Sequence, residues 1–246
     1  MHEKEELKIL DSYIEECHSI ETYTESETEE QINEIYKNMV QLDKPDIYSY
    51  IDNNLIMIEH FEFDSSIKNR DGSDYRQKEG IINNKFKKEL EKRNGHGIEY
   101  HDSIPSTATK ENYINNFIAQ FENHYKKIDE YKMRKEFKKY KTIKTWFFIE
   151  DVSPLGSHHI DINGEYKTLL IFQFTEIINY LLKHKKVDKI LYGFIAGDKK
   201  RLLLLDNNRS TYDKIISGRG IADDTEAIWL PVEVSGFSIP IFEIKD

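Results

Sequence analysis

Apolar residues recur at helical spacing over residues 4–18, where Leu7, Leu10, Ile14 and Cys17 share one face with acids between them. A second amphipathic helix is expected from Glu27 to Gln41, burying Ile32, Ile35, Met39 and Val40. Thr22 to Ser26 reads as the break between the two, with Ser26 and Glu29 in capping-box spacing. Pro45 ends the helical pattern. The period then changes: Ile47 to Ile51 is β-rich, Asp52-Asn53-Asn54 is a turn, and Leu55 to Phe63 is a second strand. A turn this short predicts an antiparallel hairpin.

Residues 74–94 predict a charged helix that ends at Asn94-Gly95-His96-Gly97, and residues 98–109 a loop. A long helix follows from Lys110 to Tyr140, with Tyr113, Phe117, Ile118, Phe121, Tyr125 and Ile128 on one face. Aromatics at this spacing are the signature of a stripe facing the core. Thr145 to Ile149 is an apolar strand short enough to be buried on both faces. A helix over Thr175 to Lys185, strands Ile190–Ala196 and Arg201–Leu205, and closing strands Ala227–Val234 and Phe237–Ile244 complete the pattern. With no internal repeat, this predicts a single α/β or α+β domain over residues 1–246, a mixed central sheet with flanking helices.

The 246 residues include one cysteine, Cys17, which excludes an internal disulfide framework and a Cys-cluster zinc site. Acids flank Cys17 and oppose a low thiol pKa, so it is not expected to be a nucleophile. No apolar run approaches membrane-span length, and the acidic first residues do not resemble a secretory signal. The expectation is a cytoplasmic protein without a membrane partner. Net charge is −10, unevenly spread: residues 1–66 balance to −14, 67–144 to +7 and the remainder to −3. An acidic chain opposes indiscriminate coating of nucleic acid. The basic segment 126–144, with nine cations against three acids, is a candidate surface for DNA or RNA. Its plainer reading is a solvated helix face.

Candidate chemistry concentrates on Ile58-Glu59-His60-Phe61-Glu62-Phe63-Asp64. On a strand Glu59, Phe61 and Phe63 share one face while His60, Glu62 and Asp64 share the other. Glu59 sits among apolar alternate positions, where a carboxylate needs a cation, a hydrogen-bond partner or a metal. His60, Glu62 and Asp64 offer a second set of metal ligands, of imidazole and carboxylate type. His158, His159 and Asp161 lack a recognised ligand spacing, as do His96 and His101. Glu150-Asp151 closes an apolar strand, where α/β proteins place functional groups. Neither a phosphate-binding glycine loop nor a nucleophile elbow is present in the sequence.

Together, the acidic helix, Pro45-Asp46 and the hairpin carrying Glu59 resemble the PD-(D/E)xK nuclease superfamily, over residues 26–150. The resemblance implies a restriction-endonuclease-like core with a helical insertion at about 73–140, extended by residues 151–246. It implies Asp46 and Glu59 as metal-ligand acids, with Glu30 or Glu34 as an added helix acid. It also implies Mg²⁺ or Mn²⁺ as cofactor and a phosphodiester of nucleic acid as substrate. Separately, if the Thr145–Ile149 strand lies beside Leu55–Phe63, Glu150 or Asp151 is expected to join Glu59 as a metal ligand. The lysine expected two positions after Glu59 is Phe61. Lys44, Lys68 and Lys78 are the nearest substitutes, with Lys68 preferred as the catalytic lysine. The competing expectation is an inactive nuclease-like or unrelated α/β protein that binds a protein or nucleic-acid partner, with Glu59 held by a fixed basic side chain.

Overall fold

The computed structural model of the chain describes residues 6–17, 20–24, 29–51, 53–69, 72–92, 99–104, 108–153, 158–160, 166–196, 199–224, 227–228 and 232–237. In chain order, helix α1 (Glu6–Glu16) is followed by strand β1 (Glu21–Tyr23) and helix α2 (Glu29–Lys37). The meander β2 (Val40–Gln41), β3 (Ile47–Ile51) and β4 (Asn54–Phe63) comes next, then the small hairpin β5 (Lys68–Asn69) and β6 (Gly72–Ser73). Helix α3 (Asp74–Lys92), strand β7 (Glu99–Ile104), helices α4 (Lys110–Tyr125) and α5 (Ile128–Lys132) and a 3-10 turn at Lys135–Phe137 lead to β8 (Thr142–Asp151). Strands β9 (His158–Ile160) and β10 (Tyr166–Thr168) precede helix α6 (Thr175–Lys183). The hairpin β11 (Lys189–Ala196) and β12 (Lys199–Asp206), helix α7 (Arg209–Arg219), β13 (Ala227–Ile228) and β14 (Val232–Phe237) complete the chain.

Seven strands form one mixed sheet in the order β1-β12-β11-β8-β4-β3-β2. Its centre, β4, β8 and β11, is parallel, while β2-β3-β4 and β11-β12 pair antiparallel. The predicted hairpin is therefore present, with Ile47 opposite Ile58. Helices cover both faces, so the central strands are apolar on both sides. On one face, Leu10 and Tyr13 of α1 and Ile32 and Ile35 of α2 pack on Ile56, Ile58, Trp146 and Phe148. On the other, α4, α6 and α7 pack on Leu55, Met57, Phe61, Phe63, Phe147 and Ile149.

Four expectations change. The helix expected over 110–140 ends at Tyr125. Continued straight it would run about 45 Å, past a ten-residue strand of about 33 Å. The chain turns instead, so that Ile128, Tyr131 and Phe137 fold back onto the core and Thr142 starts β8 beside Asn54. The expected loop 98–109 contains β7, which pairs with β14, and β14 runs through Ser235-Gly236, the expected break between the closing strands. Residues 207–226, which show no clear period, contain α7, capped by the Asn208 side chain accepting from Thr211 N. The Glu27–Gln41 helix stops at Lys37, and Val40–Gln41 pairs with β3 as β2. Ser26 of the expected capping box and residues 238–244 lie outside the described residues. Among the described residues no helix is long and apolar enough to cross a membrane.

Candidate metal centre at the end of two parallel strands

Alternation along β4 decides which chemistry meets which helix. Odd positions Leu55, Met57, Phe61 and Phe63 belong to the layer under α4, and even positions Ile56 and Ile58 to the layer under α1 and α2. Glu59 therefore faces α4, while His60 and Glu62 face the α1 side. On β8, Phe148 belongs to the α1 layer, which gives Glu150 the same face as His60. Register sets Glu62 directly beside Glu150 and His60 beside Phe148. The His60 ring stacks on Phe148 with centroids 4.8 Å apart.

Here three ligand atoms converge. His60, Glu62 and Glu150 each offer one within 4.8 Å of the others. His60 Nε2 and Glu150 Oε2 are 3.4 Å apart, and their side chains are only 9% and 12% exposed. Among the described residues neither atom has a hydrogen-bond partner, although each is sealed from solvent. An orphaned buried pair of this kind is costly unless something supplies the missing bonds. The other Glu150 oxygen accepts from Tyr13 Oη at 3.1 Å, which fixes the carboxylate with Oε2 toward His60. Burial and the Glu150 carboxylate raise the Tyr13 pKa, so its hydroxyl stays a donor. Tyr13 reaches Glu150 across Gly193, where an added Cβ would lie 3.0 Å from the Tyr13 ring.

An open cleft of about 700 Å³ runs along the same strand end. Strand β3 pairs with β4 only as far as Ile58, and among the described residues no strand pairs with residues 59–63 on that side. The cleft is lined by Glu6 and Ile9 of α1, His60 to Asp64, Lys68, Ser73, Arg76 and Gln77, with Gln120 and His124 of α4. Arg76 Nη2 lies 2.6 Å from Glu62 Oε2. Asp64, beside it, turns back to accept from Ser66 N at 2.9 Å.

The acids expected to bind metal occupy different surroundings. Glu59 is 4% exposed; three donors face its Oε1, while its Oε2 is buried and, among the described residues, has no hydrogen-bond partner. Its Oε1 lies 2.8 Å from His124 Nδ1, 3.2 Å from Tyr131 Oη and 3.9 Å from Lys127 Nζ. A carboxylate only accepts, so His124 carries its proton on Nδ1. Asp46 stands at the end of β3, where its Oδ2 accepts from His60 N at 2.7 Å and substitutes for the missing strand. Burial, then the nearby Glu59 carboxylate, push the Asp46 pKa up to about 6. Glu30 and Glu34 are exposed on α2, which covers the opposite face of the sheet from Glu59.

Asp151 points to the α4 side, away from its neighbour Glu150. Its Oδ2 accepts from Tyr113 Oη at 2.5 Å and Tyr192 Oη at 2.7 Å, and its Oδ1 from Ser153 N at 3.0 Å. Burial raises its pKa while these donors oppose the shift. Thus Lys68 lines the cleft and Glu150 belongs to the His60–Glu62–Glu150 group beside it, whereas Asp46, Glu59 and Asp151 are engaged on the other side of the sheet or at its edge. Asp64 lines the cleft outside the three-ligand set. Phe61, where the resemblance expects lysine, packs on Phe117, Phe121, Phe147 and the His124 ring.

Sequence reasoning missed Tyr13, Arg76 and His124, which reach this strand from three helices. The basic segment 126–144 runs from the end of α4 to the start of β8. Thr142 pairs with Asn54, eight positions before the Glu62–Glu150 pair, or about 26 Å along the strand. The side chains of His101, His158 and His159, and all of His96 and Asp161, lie outside the described residues. Compared with protein-family models, curated proteins and solved structures, the chain matches none.

Proposed function

We propose that the chain is a divalent-metal-dependent hydrolase of nuclease type, acting on phosphodiester bonds, with the ion held by His60, Glu62 and Glu150. The observation that carries the reading is the pair of buried, bond-free ligand atoms, His60 Nε2 and Glu150 Oε2, converging with Glu62 where His60 and Glu62 line an open cleft. A nitrogen ligand beside two carboxylates suits Mn²⁺ better than Mg²⁺, which favours oxygen and water. Such an ion supplies Lewis acidity and a water of lowered pKa. Tyr13 keeps Glu150 aimed, and Lys68 and Arg76 supply positive charge where a phosphate would sit.

The path of the chain supports the nuclease-like core. Helix α2, the meander β2-β3-β4, the crossover containing α4, and β8 beside β4 follow the order of a helix, a three-stranded meander, a further helix and a fourth strand that the superfamily shares. In this reading α4 is the core crossover rather than part of an insertion. The ligand set moves from Asp46 and Glu59 to the opposite face of β4, and Lys68 is a candidate for the displaced lysine.

A partner-binding protein without activity is the second reading. The observation in its favour is the binding of Glu59 by His124, Tyr131 and Lys127.

Isothermal titration with Mn²⁺ separates these readings. Wild type should bind one ion, and His60→Ala and Glu150→Gln should each weaken it at least tenfold. Asp46→Asn/Glu59→Gln should bind it like wild type. Loss of binding in that double variant alone would return the site to Asp46 and Glu59. Absence of binding in wild type would leave the partner-binding reading. A positive result directs a screen of DNA and RNA cleavage with the same variants.

A further inference from the structure

From the Arg76–Glu62 ion pair we infer that the cleft is a metal-gated anion site: the divalent ion binds first, frees Arg76 from Glu62, and the guanidinium then holds a phosphate of the substrate. This rests on the metal reading above and adds an order of binding and a phosphate-binding residue.

Arg76 is bound to a member of the ligand set. Its contact to Glu62 Oε2 at 2.6 Å leaves the guanidinium half exposed at the cleft wall. Asp64 and Glu150 also act on it electrostatically. Without a metal, Arg76 is therefore the counter-ion of this acidic strand end. Glu6, Glu62 and Asp64 line the cleft and Glu150 lies beside Glu62, four formal negative charges against Lys68 and Arg76. That balance of −2 repels a phosphate. A dication brings it to zero and draws on the Glu62 carboxylate, so the hold on Arg76 weakens as the barrier to an anion falls. A guanidinium at this position matches the paired oxygens of a phosphate group. Lys68, which also lines the cleft, adds a second cation without the fixed geometry.

The test uses Mn²⁺ and thymidine 5′-monophosphate as probes on the full chain, by calorimetry. Wild type should bind the nucleotide about tenfold more tightly when Mn²⁺-loaded, the equivalent of one ion-assisted contact. Arg76→Gln should bind Mn²⁺ as well as wild type or several-fold better, because a competing cation is gone. The Mn²⁺-loaded variant should lose most of the nucleotide affinity, and Arg76→Lys should restore part of it. Retained Mn²⁺ binding also shows that the variants are folded. Nucleotide binding indifferent to Mn²⁺, or unchanged in Mn²⁺-loaded Arg76→Gln, overturns the inference and leaves the metal reading standing. Failure of wild type to take up Mn²⁺ overturns both.

Discussion

Glu59 and His60 are adjacent, yet they belong to different chemistry because a strand sends successive side chains to opposite faces. Glu59 meets His124, Tyr131 and Lys127, and losing its charge leaves these donors, of which Tyr131 is buried, facing a weaker acceptor. Glu59→Gln should cost about 2–4 kcal/mol in denaturant unfolding, with Mn²⁺ affinity unchanged. Asp46 behaves in the opposite sense. Its folded pKa of about 6 lies above the usual carboxylate value, so ionisation opposes folding. Below the unfolded pKa both states are protonated and there is no penalty; stability falls as pH rises toward 6 and is level above it. Asp46→Asn keeps an acceptor for His60 N and removes the charge. It should stabilise the protein by about 1–3 kcal/mol at pH 8 and have little effect at pH 3.5, read from urea unfolding at both pH values. Greater stabilisation at acid pH would contradict the assignment.

At the scale of elements, strand register turns single residues into a site. Glu62 meets Glu150 because β4 and β8 are parallel and in step. Tyr13 reaches them because Gly193 leaves room on β11. Gly193→Ala should displace the Tyr13 ring, cost about 1–3 kcal/mol by overpacking and weaken Mn²⁺ binding through Glu150. Unaltered Mn²⁺ affinity would remove Tyr13 from the account. At the other end of β11, buried Lys189 pairs with Asp206 of β12 and donates to Thr24. Lys189→Met strands the Asp206 charge and should lower stability by about 3–5 kcal/mol. Adding Asp206→Leu should recover much of it, since two apolar groups need no pairing.

The hairpin β3-β4 was legible in the sequence because Asp52-Asn53-Asn54 separates two β-rich runs. Helix α7 was not: Tyr212 and Ile215 alone anchor it deeply, while Thr211 is buried by bonding to the Tyr23 carbonyl. Strand β1 is three residues, largely exposed, without a period to read. Alternation separated Glu59 from His60 and Glu62, but not which helix layer covers each face. That depends on contacts 47 residues away for His60 with Tyr13's layer and 65 for Glu59 with His124.

Across the whole molecule, the charge asymmetry gains a location. The strongly acidic first 66 residues supply His60 and Glu62 and most of the carboxylates around them, and Lys68 and Arg76 stand just beyond. Much of the basic segment 126–144 instead lies toward the start of β8. A nucleic acid bound in the cleft should therefore depend on Lys68 and Arg76 more than on Lys138, Lys139 and Lys141, with a modest salt slope set by few phosphate contacts. Fluorescence anisotropy of a labelled oligonucleotide over a salt series checks this. A steep slope abolished by changing the three distal lysines to glutamine would place the contact at the far end of the sheet.

The central claim is that His60, Glu62 and Glu150 hold one divalent ion. Pulsed electron paramagnetic resonance of protein-bound Mn²⁺ reads the ligand directly, through coupling to the imidazole nitrogen. The account predicts nitrogen coupling from one histidine that disappears in His60→Ala and persists in Asp46→Asn/Glu59→Gln. Bound Mn²⁺ without nitrogen coupling, or with coupling that survives His60→Ala, would contradict it.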